Sequence, residues 1–182
     1  MTSKMHELEL IILKMIMESY GLGKYYDSYV ESNNSVCRLM RYTPPKNNEA
    51  EIALWAHVDM NVISMLCQNS VQGLEIKFKE DQWTKVAALP GQFIVFVGDS
   101  LRVWSNGRIR STEHRVTIKG DKMRYTTALF ITPKEGVIVE APEELIDEEH
   151  PRLFRPFTYV EYLEHIKIRG YVDNALVLFA GI

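Results

Sequence analysis

Three residues of this chain have types and spacing that suit a metal ion: His57, Asp59 and His114. Side chains two apart on a β-strand point to the same face, so the His57–Asp59 pair can reach one point in space. His114 lies in a second run rich in β-branched residues, and a neighbouring antiparallel strand would place it opposite the pair. Two imidazoles and a carboxylate on one face of an octahedral ion leave three positions open, an arrangement that favours ferrous iron.

A second pair, Arg124 and Thr126, begins ten residues beyond His114. These residues are again two apart, so a strand would present a guanidinium group and a hydroxyl on one face. A guanidinium binds a carboxylate through two parallel hydrogen bonds, which suits the far end of a dicarboxylic acid. A metal site beside such a clamp predicts a keto-diacid co-substrate. Taken alone, the His57–Asp59 pair has an alternative interpretation, a hydrogen-bonded surface pair on an edge strand.

With the sequence around them, these residues resemble the plant-type 2-oxoglutarate- and Fe(II)-dependent dioxygenases. The resemblance covers about residues 6–182, which correspond to the carboxyl-terminal half of a usual member; the family's amino-terminal half, which packs on the barrel, has no counterpart here. One branch, which includes the enzymes that modify glucosinolate side chains, is especially similar over residues 141–157. The stretches that carry the resemblance are His57-Val58-Asp59, Gln68–Glu75, Gly98–Arg108, His114-Arg115-Val116 and Arg124-Tyr125-Thr126.

The resemblance implies roles for six residues. The implied iron ligands are His57, Asp59 and His114. The implied contacts to 2-oxoglutarate are Arg124, Thr126 and Tyr42, although the family's tyrosine stands directly before a proline and Tyr42 is followed by Thr43 and Pro44. Fe(II), 2-oxoglutarate and O2 are then required, with ascorbate as a further candidate.

The implied activity is that of an oxidoreductase that hydroxylates or desaturates a small organic plant metabolite of specialised metabolism, with release of succinate and CO2. Two other hypotheses compete with it. A short chain that keeps the barrel could be a catalytically weak or inactive homologue that acts as a fragment or interaction module. A jelly-roll metal protein of different chemistry, such as a cupin-like isomerase, would not need the clamp formed by Arg124 and Thr126.

From Val36 onward, short runs of β-forming residues alternate with turn residues such as Pro44-Pro45, Pro90-Gly91 and Asn106-Gly107. Seven runs without intervening helices predict a sandwich or jelly roll. Asn106-Gly107 is expected to form a type I′ hairpin turn, and Gly73 to mark a bend or bulge. The seven runs are 36–42, 52–58, 62–68, 74–78, 93–97, 110–118 and 124–132.

Helical patterns flank these strands at both ends. Apolar residues from Leu8 to Met17 recur at helical spacing on nearly all sides, which predicts a first helix buried on two sides and stopped by Gly21. Thr158 and Glu161 match a capping box, and Phe157 and Tyr162 a hydrophobic staple, so a helix should begin there. The predicted fold is a mainly β double-stranded β-helix over 33–134, with a helical flank over 1–30 and a helical extension over 135–182.

The apolar tail after residue 174 is expected either to dock over the barrel mouth or to form an exposed end. The acidic cluster between Glu143 and Glu149 is expected to be a solvated helical turn. Because the first helix and the tail both need partners, self-association through exposed apolar surface is also expected.

Composition argues against several classes of protein. A net charge of −3 indicates neither a nucleic-acid surface nor a basic membrane patch. The first apolar stretch contains Glu9 and Lys14, so it is too short and too charged for a signal or a membrane span. Cys37 and Cys67 are predicted to be buried free thiols, which indicates a reducing compartment and a cytoplasmic location.

Overall fold

A computed structural model describes residues 2–79, 82–87, 89 and 91–182. Pro90, one of the predicted turn residues, lies outside the described residues. The helices are α1 (Thr2–Ser19), α2 (Tyr26–Glu31), α3 (Asp99–Trp104), α4 (Tyr159–Arg169) and α5 (Ala175–Ala180), with short 3-10 turns at Gly23–Tyr25 and Glu143–Leu145. The strands are β1 (Asn33–Tyr42), β2 (Glu51–His57), β3 (Ile63–Gln68), β4 (Leu74–Lys79), β5 (Gln82–Lys85), β6 (Ile94–Val97), β7 (His114–Ile118), β8 (Arg124–Pro133), β9 (Ile138–Val139) and β10 (Phe157–Thr158).

Two four-stranded antiparallel sheets form the body of the molecule, in the orders β1-β8-β3-β6 and β2-β7-β4-β5. Their inner faces share one apolar cluster, in which Leu66 and Ala128 of the first sheet pack with Leu74 and Val116 of the second. Burial of this surface between the sheets is the main force that holds them together. The prediction of a mainly β jelly roll with helices at both ends is confirmed.

Each of the seven predicted runs contains a strand, but the prediction that no helix intervenes is wrong. The six-residue helix α3 lies between β6 and β7, and β5 is an additional strand. Asn106 and Gly107 do have positive φ values of 48° and 77°. They end α3 instead of joining two strands, because the Gly107 N–H donates to the Arg102 carbonyl as in a helix C-cap. The hairpin prediction is therefore wrong.

Helix α1 and its stop at Gly21 (φ 72°) are as predicted, but its two-sided burial is not. One face, Met5, Glu9, Leu13 and Met17, is fully buried. Met5 packs with Met65 of β3 and Leu129 of β8, so this face covers the first sheet. Ile11 and Met15, on the other side, are 56% and 63% exposed.

The carboxyl-terminal helices follow the sequence closely. The Thr158 hydroxyl accepts a hydrogen bond from the Glu161 N–H at 3.2 Å, and the Thr158 N–H donates to the Glu161 carboxylate at 2.6 Å. The ring of Phe157 contacts that of Tyr162, with centroids 5.6 Å apart. The capping box and the staple are thus confirmed.

The apolar tail docks. Leu176 and Ala180 of α5 are buried in a cluster with Phe157 and Tyr162, while Leu178 remains 69% exposed. This apolar cluster joins the tail to α4. The acidic cluster between Glu143 and Glu149 begins with the 3-10 turn at Glu143–Leu145, in which both glutamates are exposed, as expected, and Leu145 is buried.

Strands β1, β2 and β4 leave large apolar side chains in contact with solvent, and β1 and β2 lie at the edges of their sheets. Leu39 of β1, Trp55 of β2 and Phe78 of β4 are 81%, 74% and 75% exposed. Both cysteines are free thiols, but Cys37 on β1 is exposed and Cys67 is half-buried, so the prediction that both are buried is wrong. β1 is an edge strand with both faces largely open. None of the described helices is long and apolar enough to cross a membrane.

Candidate active site

The two histidines of the predicted metal site lie opposite one another on neighbouring strands. His57 ends β2, His114 begins β7, and the antiparallel register pairs them directly, as predicted. Their ring centroids are 4.3 Å apart. Asp59 lies just beyond the end of β2, with its carboxylate oxygens 3.6 Å from His57 Nε2 and 4.0 Å from His114 Nε2. One donor atom from each residue lies within 4.8 Å of the others, close enough to share one ion.

The tautomer of both histidines is set by backbone carbonyls. His57 Nδ1 lies 2.8 Å from the Trp55 carbonyl oxygen, and His114 Nδ1 lies 3.1 Å from that of Thr112. A carbonyl oxygen only accepts, so each Nδ1 carries the proton and each Nε2 keeps its lone pair toward Asp59. This is the arrangement that metal-binding histidines usually show.

Burial keeps His114 neutral. Its ring stacks on Phe96, with centroids 4.4 Å apart, and only 6% of the side chain is exposed. Burial lowers the pKa of His114, while the nearby Asp59 carboxylate opposes the shift. A neutral imidazole is the form that binds a metal.

Asp59 is held from both sides. The Ser64 hydroxyl donates to its carboxylate, and the Asp99 N–H at the start of α3 donates to its carbonyl at 2.7 Å. The close approach of α3 depends on Gly98, where a Cβ atom would lie 2.0 Å from the Asn61 carbonyl oxygen. The segment after His57 therefore wraps tightly around the start of α3.

The predicted clamp lies on β8. Arg124 is fully buried opposite Tyr42 of β1, and its guanidinium carbon lies 5.0 Å from the centre of the tyrosine ring. Its Nη2 donates to the Gln68 side-chain oxygen at 2.5 Å. Within the described part of the chain, Arg124 Nε and Nη1 and the buried Thr126 hydroxyl have no hydrogen-bond partner.

An unpaired guanidinium is costly in such a place. Burial lowers the pKa of Arg124, yet arginine stays charged in proteins, so the buried cation needs an anionic partner. Two free N–H groups beside a free hydroxyl match the acceptor atoms of a carboxylate. The side chains present therefore fit a dicarboxylate as well as a metal ion.

Gly73 explains how the arginine fits. A Cβ atom there would lie 3.1 Å from Arg124 Cδ and 2.9 Å from the Thr117 carbonyl oxygen. The prediction of a bend or bulge missed this close approach. Glycine ahead of a strand is a known signal for close packing, but it does not reveal the partner.

One cavity of about 470 Å³ between the sheets joins both sets of residues. We call His57, Asp59 and His114 its metal end, and Arg124 with Tyr42, Gln68 and Gly73 its clamp end. Five of the six predicted site residues line it: His57, Asp59, His114, Arg124 and Tyr42. Thr126 is buried on the same face of β8 as Arg124. No pattern in the sequence indicated the roles of Gln68 and Ser64.

Residues 33–133 match the model of a family described as the 2OG-Fe(II) oxygenase superfamily. The chain is 47% identical over 161 residues to a protein of Arabidopsis thaliana called probable 2-oxoglutarate-dependent dioxygenase AOP1, covering 86% of this chain and 54% of that protein. It is 48% identical over 114 residues to a probable inactive 2-oxoglutarate-dependent dioxygenase AOP2 of the same plant, covering 62% and 29%.

A solved structure is also similar. It is that of JOX2 in complex with 2OG, Fe and JA, with a TM-score of 0.89 and 26% identity over 99% of this chain and 54% of that one. The chain spans about half the length of the AOP1 relative and of JOX2.

Proposed function

The chain belongs to the 2OG-Fe(II) oxygenase superfamily, and from that premise we propose that it acts as a 2-oxoglutarate- and Fe(II)-dependent dioxygenase. It hydroxylates or desaturates a small organic plant metabolite. The catalytic domain spans residues 33–134, between a helical flank over 1–30 and a helical extension over 135–182.

One observation carries the proposal. The unpaired, fully buried guanidinium of Arg124 lies in the same cavity as the His57, Asp59 and His114 cluster. A metal site alone would fit several chemistries. A metal site with a buried cation that lacks an anionic partner specifies a co-substrate with two functional ends, as 2-oxoglutarate has.

The protein's contribution is orientation and exclusion of water. His57, Asp59 and His114 would hold Fe(II), because both Nε2 lone pairs and the carboxylate converge. Arg124 and the Thr126 hydroxyl bind the distal carboxylate, and the Tyr42 ring packs on the guanidinium. Apolar side chains between the two ends, such as Leu66 and Val116, keep water out. With iron and 2-oxoglutarate bound, the centre supplies O2-dependent oxidative decarboxylation to succinate and CO2, which drives oxidation of the substrate.

The setting follows from the same chemistry. Ferrous iron and two free thiols suit a reducing compartment, so the proposed location is cytoplasmic. Ascorbate is proposed as an accessory reductant. The proposed partner is a small molecule, and a net charge of −3 does not favour binding of nucleic acid.

The proposal can be tested by following 2-oxoglutarate on the iron form. Under anaerobic conditions, addition of 2-oxoglutarate to Fe(II)-loaded protein should produce a visible charge-transfer band, and admission of O2 should release succinate. Asp59→Asn, which keeps the shape of the side chain but removes its charge, should lose both signals. Folded wild-type protein that shows no band would contradict the assignment.

A second candidate function is that of an inactive homologue that acts as an interaction module. Exposed apolar side chains on the outer strands, Leu39 and Trp55, favour it, and one relative is named as probably inactive. These side chains favour self-association. Light scattering should then give a mass above that of one chain, and Trp55→Ser should lower it. Ile168→Ser, which changes an exposed isoleucine on α4, outside the outer strands and the tail, is the matched control.

A further inference from the structure

The segment His57-Val58-Asp59, which carries two of the three proposed metal ligands, leaves its sheet after His57. The β2–β7 pairing ends at His57, so the Val58 N–H has no strand partner. Its hydrogen bond goes to the hydroxyl oxygen of Tyr171, which lies 113 residues further along the chain, between α4 and α5. The Tyr171 ring also stands edge-on to the His57 imidazole, with centroids 6.2 Å apart and planes at 87°.

A second tyrosine reaches the same segment indirectly. Tyr162 of α4 is fully buried, and its hydroxyl donates to Asp99 Oδ2 at 2.8 Å. The Ser111 hydroxyl donates to the other oxygen of Asp99 at 2.8 Å. The Asp99 N–H in turn donates to the Asp59 carbonyl at 2.7 Å. Tyr162 therefore fixes the residue that holds the backbone of a metal ligand.

We propose that Tyr171, with Tyr162 acting through Asp99, is a positioning residue for the metal ligands His57 and Asp59. The proposal rests on the proposed function, since it concerns the ligands of that metal. Once the chain has left its sheet, the backbone can rotate about the bonds on either side of Val58. A hydrogen bond at the Val58 N–H limits that rotation and so restricts the positions of both His57 and Asp59. The carboxyl-terminal extension thus tunes metal affinity without supplying a ligand, as partners beyond the direct ligands do in metal sites.

The surroundings of Tyr171 separate this role from a purely structural one. A polar cavity of about 240 Å³ is lined by Val58, Asp99 and Tyr171. Water from this cavity can hydrate the Val58 N–H once the hydroxyl is removed, so Tyr171→Phe leaves no buried donor without a partner. The phenylalanine ring keeps the packing against His57. In Tyr171→Phe, His57 and Asp59 should therefore be held less firmly while the protein stays folded.

The test compares three variants of the whole chain: Tyr171→Phe, Tyr162→Phe and, as a matched control, Tyr25→Phe. Tyr25 also donates a hydrogen bond, to Glu144, and neither residue lines the cavity that holds the metal end. The probes are Mn(II) affinity by anaerobic calorimetry, the visible spectrum of bound Co(II), and the thermal midpoint of metal-free protein.

Tyr171→Phe should weaken Mn(II) binding about tenfold and shift the Co(II) bands, since loss of a partner beyond the direct ligands typically costs 10- to 100-fold in affinity. Tyr162→Phe should weaken binding less, and Tyr25→Phe should not change it. The thermal midpoints of Tyr171→Phe and Tyr25→Phe should stay close to that of the wild type, whereas Tyr162→Phe should melt at a lower temperature because its hydroxyl donates to a buried carboxylate.

Two results would overturn the proposal. In the first, the wild type binds Mn(II), and Tyr171→Phe and Tyr162→Phe bind it equally well with unchanged Co(II) spectra, which removes the positioning role and leaves the proposed function intact. In the second, the wild type does not bind Mn(II), which removes both. If Tyr171→Phe alone fails to fold, unchanged Mn(II) affinity in Tyr162→Phe decides against the proposal.

Discussion

The clamp residues of the cavity lie on the first sheet and the two histidines of the metal end lie on the second, and the two ends are supported differently. At the clamp end, Arg124 and Tyr42 face each other within a continuous ladder between β1 and β8. At the metal end, Asp59 lies beyond its strand and is held by α3 and by Ser64. Strand register therefore positions the clamp by itself. The metal end depends on residues that come later in the chain.

Removing a metal ligand should have the largest effect, and only on the metal end. His114→Ala should weaken Mn(II) binding by more than about 100-fold, beyond what loss of an outer partner does. Calorimetry under anaerobic conditions measures the change. His150→Ala, at a half-exposed histidine far from the cavity, is the control. Equal affinity in His114→Ala and wild type would show that the three residues do not form the metal end.

Arg124→Lys tests the other end alone. An ammonium cannot reproduce the planar pair of hydrogen bonds, so 2-oxoglutarate binding should weaken by about 1 to 3 kcal/mol. Mn(II) affinity should not change, because the clamp is positioned by its own ladder. Titration of the iron form, followed by its visible band, measures this. Arg110→Lys, which changes an exposed arginine, is the control and should bind 2-oxoglutarate normally. If Arg124→Lys also lowered Mn(II) affinity, the two ends would not be independent.

Gly73→Ala should produce a smaller effect at the same end. The added methyl group would lie 3.1 Å from Arg124 Cδ and 2.9 Å from a carbonyl oxygen, so the arginine stem or the strand must shift. We expect several-fold weaker 2-oxoglutarate binding and about 1 to 3 kcal/mol lower stability, as for other overpacked sites. Gly23→Ala is the control, because its added methyl group would lie 3.1 Å from Cγ of the flexible Glu18 side chain and 3.9 Å, an ordinary contact, from Glu18 Cα. Unchanged binding in Gly73→Ala would mean that the clamp tolerates displacement.

The smallest effect on the cavity should come from pH acting through α1. Burial raises the pKa of Glu9 to about 8 from 4.5, and neither carboxyl oxygen has a partner within the described chain. The folded state holds the proton more tightly than the unfolded state, so the contribution of Glu9 to stability is full below about pH 4.5 and falls as pH rises toward 8. Urea unfolding at several pH values measures the slope.

Glu9→Gln should flatten that slope. Glu7→Gln, at an exposed carboxylate on the same helix, should leave it unchanged. Because α1 covers β3 and β8, the backbone amides of the first sheet, which carries Arg124, should be the first to lose protection against hydrogen exchange as the pH rises. An equal slope in Glu9→Gln and wild type would contradict this account.

Much of the site could be predicted because its logic is local. Side chains alternate between the two faces of a strand, so Arg124 and Thr126, two residues apart, lie on one face. A second run of β-branched residues contains His114. The contact between Tyr171 and Val58 could not be predicted, since it spans 113 residues and depends on how α4 and α5 pack. Such contacts leave no periodic signal in the sequence.

Two errors in the fold have physical causes of the same kind. Helix α1 is apolar on nearly every side, so periodicity could not choose its buried face, and the face that packs includes the ionisable residue Glu9. Helix α3 is six residues long, shorter than the window in which helical periodicity can be recognised. In both cases tertiary packing decided what local preference left open.

The position of Asp59 beyond the end of β2 also has a kinetic consequence. The two histidines pair across the ladder between β2 and β7, whereas the carboxylate is carried by a short segment outside it. Breaking the hydrogen bonds of this segment with Ser64, Asp99 and Tyr171 would release one ligand while the barrel stays folded. The rate at which a chelator strips the ion should therefore follow the mobility of this segment and be insensitive to the concentration of urea well below the unfolding transition.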